Sequence, residues 1–552
     1  MRKIVLAVVA LCAAWAWAGP DVTATNVAAI LRDMRADVKT LRMKVGYPGK
    51  FLEVPENVKA VRQQKYVRRE VPLSRDGELY DVGQESVGYI EAECEEMPEL
   101  YLGESKAEAM NENAADFEQT NGLVRVGGVW RNPQPLALRY FRFKGKQPGK
   151  VRFIEEIADV TNRVPFKGSA REERMHAVAL RTLRLCMREF LLDGVKRDRL
   201  PWAGDLSVSL LANVFSFREP EIVKRTLTVL DSAGWEAGDV NGIIDYSLWL
   251  VICHELFQQH FGDREFLAAK YDRVAGRLES FARRANADGL LEETDAQGRE
   301  IWLFIDWTDD AHSTVALNAI YYGALQAGVK LAKRMGRAAD AARWRDRAAN
   351  LRATLRAKAW DAQRGLFRYD AKDPTRGHFT RHPNIYAAYF GVAEGDELKS
   401  IGAALAGDEL PAVGTPYASA YEVMALVGCG RLADARKRLE RIWGGMLDLG
   451  ATTFWEGFDP AHSGAQHWVF YGRPFGNSLC HAWSSAPVFL LPMLAAAERG
   501  KIGASCRPGE TIDRREVARA GGDDAPTAIW MTSSSPRETL RNIWETLTMW
   551  MR

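Results

Sequence analysis

Three features of the sequence predict a mainly helical chain, a toroid of helical hairpins preceded by a small antiparallel β-sandwich. Strand-like runs bounded by turn residues cluster between Val71 and about Ile157. After Phe166 strand signals almost vanish, and helical patterns follow one another to about Arg499. The loops joining those helices vary in length and carry no helix-repeat signature, which favours a closed α/α toroid over a regular solenoid. At 552 residues the chain exceeds one ordinary core, so two or three domains are expected.

Taken in order, Arg2 and Lys3, the apolar run from Ile4 to about Trp15 and the small-x-small step Ala16-Trp17-Ala18 read as a secretory signal over residues 1–18. This predicts export to the periplasm or the medium, with the mature chain beginning near Gly19. Cys12 follows Leu11, too large for the residue that precedes a lipidated cysteine, so plain export is the reading. The stretch from Val22 to Lys59 is helical or irregular. Within the region 19–165, strands are predicted at Tyr80 to Val82, Ser86 to Cys94, Glu99 to Gly103, Gly122 to Val129, Leu136 to Phe143 and Val151 to Val160. The helical region, 166–500, has candidate helices at Glu172 to Leu192, Glu219 to Ala233, Ile244 to His260, Arg264 to Asn286, Ser313 to Arg334, Ala339 to Lys358, Asn384 to Val392, Ser419 to Val427, Arg431 to Leu447 and Ser478 to Ala497. The tail, 501–552, begins polar and rich in Arg and Asp and ends in an amphipathic segment, Pro536 to Met551, with no function assigned.

Composition excludes several classes. Hydrophobic content of 47% and charged content of 26% describe a soluble globular protein, and a formal net charge of +2 offers no basic face for nucleic acid. No stretch after the signal is long and apolar enough to span a membrane. The six cysteines beyond it, Cys94, Cys186, Cys253, Cys429, Cys480 and Cys506, form no Cys-x-x-Cys pair and read as buried free thiols. There is no Gly-x-Ser-x-Gly elbow, no phosphate loop and no His-Glu-x-x-His, so neither a cofactor nor a metal is expected.

Two strings concentrate the chemistry. Asp193 to Asp205 (Asp-Gly-Val-Lys-Arg-Asp-Arg-Leu-Pro-Trp-Ala-Gly-Asp) follows a helix, and Gly194 as C-terminal cap with Pro201 and Gly204 beyond it predicts a loop. That loop presents Asp193, Asp198 and Asp205, Lys196, Arg197 and Arg199, and Trp202, a flat ring of the kind that stacks on a sugar face. The alternative is a solvated charge cluster at a helix end. In the second string, Gly450 to Phe458, Glu456 lies among Phe454, Trp455 and Phe458, where desolvation is expected to raise its pKa toward that of a general base; the alternative is an exposed Glu beside a core Trp. A general acid and a second carboxylate are what glycosidic hydrolysis needs.

Both strings resemble the signatures of bacterial α-L-rhamnosidases of glycoside hydrolase family 78: an Asp, an Arg-acid step, a Trp and a closing Gly-Asp in the first, and Thr-Thr-x-Trp-Glu in the second. Tyr80 to Glu93 and Leu100 to Ser105 also resemble the β-domain that precedes the family's barrel, so the likeness runs from about Val71 to Ala497. It implies an (α/α)6 barrel, with Asp198 as general acid and Glu456 as general base in an inverting mechanism that removes terminal α-L-rhamnose. It further implies that Asp193, Arg197, Trp202, Asp205 and His481 bind substrate, the last in Cys-His-Ala-Trp-Ser-Ser, with Trp483 packing. Trp307 in Trp-Leu-Phe-Ile-Asp-Trp-Thr-Asp-Asp resembles an Asp-Trp loop and would meet the 6-methyl and ring face of a deoxyhexose, the alternative being a core Trp; Asp309 and Asp310 read as solvated. Asp245 and Trp249 also look family-like. The chain departs from the family in carrying Asp198 where Glu is typical, a carboxyl drawn back by about 1 Å, and in its short tail, where members usually close with another β-domain. A six-hairpin glycosidase for another sugar, or a carbohydrate-binding protein without turnover, are the alternative functions.

Overall fold

The computed structural model describes residues 64–499, apart from 114–115, 118, 120–121, 233, 237, 296–297, 309–310 and 372–377, together with the strands Leu41–Lys44 and Phe51–Val54. The predicted signal, the tail 501–552, Cys506, Asp309 and Asp310 lie outside the described residues.

Twelve helices carry the larger part: α1 (Ala170–Cys186), α2 (Ala203–Val214), α3 (Pro220–Leu230), α4 (Ile244–His260), α5 (Arg264–Arg284), α6 (Thr314–Arg334), α7 (Ala338–Ala359), α8 (Arg381–Phe390), α9 (Asp396–Ala406), α10 (Pro416–Gly428), α11 (Leu432–Leu439, prolonged to Asp448) and α12 (Pro487–Arg499). Their sequences sort them into two layers. Every residue of α2 and α10 is buried, and α4, α6 and α8 are buried on nearly every face, so protein must surround them. These five and α12 pack in the cyclic order α2, α4, α6, α8, α10, α12 and back to α2. The outer helices are one-sided. In α7 only Ala341, Trp344, Ala348, Leu351, Leu355 and Ala359 are buried, a stripe at helical spacing that lies on α6. Six hairpins thus close into a barrel, and the loops leading into the inner helices share one end.

The preceding module is a single eight-stranded antiparallel sheet: β1 (Tyr66–Val71), β2 (Ser74–Asp76), β3 (Leu79–Glu93), β4 (Glu99–Gly103), β5 (Val124–Val126), β6 (Val129–Arg131), β7 (Leu136–Lys144) and β8 (Lys150–Ala158). The long β3 organises it, pairing with β2 and β7 near its start and with β8 and β6 near its end, with a register shift between Asp81 and Ser86. Gly88 is required where β8 crosses, because a Cβ there would stand 2.3 Å from the Ile154 carbonyl oxygen. The sheet grips the barrel through buried charge. Glu155 on β8 pairs with Arg69 and with Arg181 of α1 (both 2.7 Å), and Glu156 pairs with Arg68 (2.6 Å) and Arg188.

Several expectations are corrected. The helix expected to run to Leu192 ends at Cys186, so Gly194 is no cap; it bridges to His481 instead. Gly204 does not break a helix but lies in the first turn of α2, where a Cβ would meet the Tyr246 ring at 2.4 Å. Helices α2 and α9 were not expected, and α12 begins nine residues after Ser478, its expected start. Residues 22–59, read as helical or irregular, contain the antiparallel pair Leu41–Lys44 and Phe51–Val54. Cys94, Cys186, Cys253, Cys429 and Cys480 are free thiols, Cys94 and Cys429 only partly buried. Among the described residues no helix is long and apolar enough to cross a membrane.

Candidate active site

The loop between α1 and α2 is folded by its own first residue. Asp193 donates its N–H to the Leu200 carbonyl (3.0 Å) and accepts the Leu200 N–H on Oδ1 (3.0 Å), pinching residues 194–199 into a closed loop. Asp198 and Arg199 at its tip both have positive φ (52° and 55°), a conformation costly for residues with side chains and tolerated where surroundings enforce it. Side chains then divide. Lys196 and Arg199 turn to the sheet, Arg199 donating to the Pro135 carbonyl (2.9 Å), its pKa pushed down to about 10 by burial. Arg197 and Asp198 turn the other way.

Arg197 is the hub. One guanidinium nitrogen meets both oxygens of Glu456 (2.6 and 2.8 Å), and another lies 3.3 Å from Asp198 Oδ2. Because both contacts belong to one guanidinium, the nearest oxygens of the two carboxylates are no more than about 8 Å apart, within reach of carboxyl pairs that flank a scissile glycosidic bond. Their surroundings differ. Glu456 is almost wholly buried, whereas 39% of the Asp198 side chain is exposed.

Glu456 is fixed from several sides. Its N–H donates to the Ser478 carbonyl (2.8 Å), its carbonyl accepts Trp483 Nε1–H (2.9 Å), and Oε1 accepts the Tyr471 hydroxyl (2.6 Å). Burial alone would raise its pKa, as expected from the aromatics around it, but the Arg197 charge and the hydrogen bonds from Arg197 and Tyr471 outweigh burial and hold it below the usual value. The sequence-based direction is therefore overturned: the aromatics were visible, the cation 259 residues away was not.

The remaining predicted residues converge on this pair. His481 Nε2 lies 3.9 Å from Glu456 Oε1 and Nδ1 lies 3.8 Å from Asp205 Oδ1, both beyond hydrogen-bond length. Burial pushes its pKa down to about 4, so the ring is neutral at neutral pH. Asp205, in the first turn of α2, accepts a weak bond from the Tyr246 hydroxyl (3.4 Å), leaves Oδ1 without a partner and is held well above the usual carboxylate pKa by burial. Burial, reinforced by the charges of Asp198 and Asp205, does the same to Asp193. Trp202 is partly buried edge-on to Tyr246, its Nε1–H without a partner.

Trp307 joins the cluster through Tyr471. It is 37% exposed, edge-on to Phe304 (5.0 Å) and to Tyr471 (5.2 Å), whose ring in turn carries the Arg197 guanidinium (4.2 Å). It is therefore not a core Trp. Two buried carboxylates hold its loop. Asp245 accepts the N–H groups of Phe304 (2.9 Å) and Ile305 (3.3 Å), the latter at φ 53°. Asp306 accepts from Gly414 N–H (2.7 Å) and the Thr415 hydroxyl (2.6 Å) and lies 2.9 Å from His382 Nε2. Burial pushes Asp245 up to about 7. Trp249, the other family-like residue, is core.

All eight predicted site residues thus share one cluster. Tyr471 and Tyr246 were missed, and Asp245 and Asp306, noted in the sequence only as family-like and as part of the Asp-Trp loop, turn out to hold that loop; Tyr471 stands in a long loop, 449–486, with no local pattern to single it out. Among the described residues no group of three or more His, Cys, Asp or Glu is placed to hold a metal ion.

A ring of six helical hairpins, with paired carboxylates, a cation and aromatic walls where the loops converge, defines a six-hairpin glycosidase. The profile of the bacterial α-L-rhamnosidase six-hairpin glycosidase domain matches residues 166–493, more than half of the chain, and the protein belongs to that family of glycoside hydrolases. Among solved structures, the chain is similar to a rhamnosidase from Klebsiella oxytoca with rhamnose bound (24% identity, TM-score 0.63, covering 82% of this chain and 93% of that one). It is also similar to the family 78 rhamnosidase of Bacillus sp. GL1 (23% identity, TM-score 0.63), covering 80% of this chain but 49% of the Bacillus one. The α-L-rhamnosidase of Dictyoglomus thermophilum (16% identity, TM-score 0.60) is covered to 51% by 77% of this chain. A search of curated proteins gives no match.

Proposed function

We propose that this protein removes terminal α-L-rhamnose from glycosides by single displacement with inversion, Asp198 protonating the departing oxygen and Glu456 activating water. The observation that carries this reading is the Arg197 guanidinium spanning two carboxylates in unlike surroundings, one buried and held as an anion, the other open to solvent. Unlike environments divide a carboxyl pair into acid and base. In the complex, Arg197 turns from Glu456 to a sugar hydroxyl; the carboxylate then loses its counter-charge and becomes a stronger base when water is in place. Asp193, Asp205 and His481, buried around that position, supply hydrogen bonds to the sugar, and neutral His481 can donate or accept. Trp202 and Trp307 face its apolar surfaces, and the 6-methyl of a deoxyhexose suits Trp307. The rhamnose bound to the Klebsiella relative supports the choice of sugar. Export belongs to the same proposal and rests on residues 2–18.

The test is release of 4-nitrophenol from its α-L-rhamnoside by wild type, Asp198→Asn and Glu456→Gln. Because an activated leaving group needs little protonation, Asp198→Asn keeps partial activity and Glu456→Gln loses it. Rhamnose binding without turnover by the wild type would instead favour a carbohydrate-binding protein, the reading that Asp in place of the family's Glu motivates. Neither cleavage nor binding would rule out rhamnose and leave a six-hairpin glycosidase for another sugar.

A further inference from the structure

We propose that Glu104 and Lys196 are positioning residues, a buried ion pair through which the β-module sets the places of acid and base in the hydrolysis above. The inference rests on that functional reading. Glu104 follows the last residue of β4, and Lys196 precedes Arg197 and Asp198 in the pinched loop. The Lys196 side chain is 1% exposed and that of Glu104 0%, with 2.9 Å between Nζ and Oε2. Lys196 also reaches the carbonyls of Phe475 and Asn477 (both 2.9 Å) and lies 3.4 Å from Glu108 Oε1. The same Glu104 oxygen accepts the Leu479 N–H (2.7 Å).

These contacts join two walls of the site. On one side of the pair stands the loop with Arg197 and Asp198. On the other stands the segment 475–481, which fixes the base: the Ser478 carbonyl accepts the Glu456 N–H (2.8 Å) and its own N–H donates to Glu456 Oε2 (3.3 Å), Asn477 bonds both backbone groups of Gly457 (3.0 and 2.9 Å), and His481 donates its N–H to the Phe454 carbonyl (2.9 Å). The walls also meet directly, through the Gly194–His481 bridge and the Ala482 N–H to the Asp193 carbonyl (2.6 Å), and Glu104 adds the sheet's own contact with both. Two charges taken out of water are no efficient source of stability, and well-packed apolar residues commonly match or exceed a buried pair. What the pair provides is a fixed register between the two loops, and a misplacement of about 1 Å between reacting groups costs on the order of 10²-fold in rate.

The test compares Glu104→Gln, Lys196→Met and the double variant with wild type. Gln keeps an acceptor for the Leu479 N–H and removes the charge. Expected for folded protein are a kcat lowered about 30- to 100-fold with KM within about threefold. The loss should be larger on methyl α-L-rhamnoside, which depends fully on the acid, than on the 4-nitrophenyl substrate, and the double variant should be no worse than the poorer single one. Amide hydrogen exchange should quicken at 193–200 and 475–481. Variants that melt cooperatively with unchanged kcat and unchanged exchange at both segments would overturn the proposal, as would multiplicative losses in the double variant. Wild type inactive on rhamnosides would count against the functional reading alone; the exchange measurement needs no substrate and still shows whether the pair holds the two segments, unchanged exchange there overturning the proposal.

Discussion

Replacing Tyr471 with Phe removes one hydroxyl and leaves standing the rest of the surroundings of Glu456, the proposed base. In the free protein that hydroxyl donates to Glu456 Oε1 at 2.6 Å, while Arg197 contacts both oxygens and the Ser478 N–H lies 3.3 Å from Oε2. A hydrogen bond to a charged acceptor contributes about 1.5 to 3 kcal/mol, equivalent to about one to two pKa units. Arg197 can close on the vacated oxygen and recover part of this, so about one unit is expected. The sign follows from the form being stabilised. Tyr471 favours the carboxylate, its loss raises the Glu456 pKa, and a base must be deprotonated to act. The acidic limb of kcat/KM, which reports the free enzyme, therefore moves to higher pH by about one unit in Tyr471→Phe. The assay is initial rate of 4-nitrophenol release across the pH range, with the basic limb as internal reference. An acidic limb that stays put or moves down would refute the assignment of Glu456 as the base tuned by Tyr471.

Two other substitutions separate binding from stability. Trp307→Ala should raise KM about 3- to 10-fold, the loss of an aromatic contact of about 0.5 to 1.5 kcal/mol, with little change in Tm because the ring is 37% exposed; a large fall in Tm with unchanged KM would make Trp307 a packing residue. Asp205→Asn should raise Tm while lowering activity. Burial lifts the folded-state pKa of Asp205 well above its unfolded value, so the stability its neutral form contributes is fully present below the unfolded pKa and is lost as pH rises through the folded one. The Tm advantage of the amide should accordingly grow as pH is raised from about 5 to about 8; an advantage that shrinks over that range would contradict the pKa direction.

What the sequence made legible was local. Asp193 to Asp205 and Thr452 to Glu456 each place chemically unlike residues side by side, and such strings survive whatever the distant chain does. Helix α4 was predicted at its observed bounds, Ile244–His260, because its ends are marked and its length is ordinary. Helix α2 escaped because every residue is buried, so no period separates one face from another, and because Gly204 looked like a breaker when it is a close approach to Tyr246. The same limit explains the misjudged pKa of Glu456, since the guanidinium that reverses the effect of burial arrives from a different hairpin. Lys196 and Arg199 had no role beyond the charge cluster of their loop in the sequence, and in the structure they are the two grips of that loop on the sheet.

The proposed inverting hydrolysis of α-L-rhamnosides through Asp198 and Glu456 would fix the configuration of the first product, so the decisive measurement follows the anomeric proton of the sugar by NMR during the first minutes of hydrolysis. β-L-rhamnose is expected first, with the α-anomer growing in later by mutarotation. Initial appearance of α-L-rhamnose would mean a covalent intermediate and a nucleophilic carboxylate, and would contradict the role of Glu456 as the base that activates water.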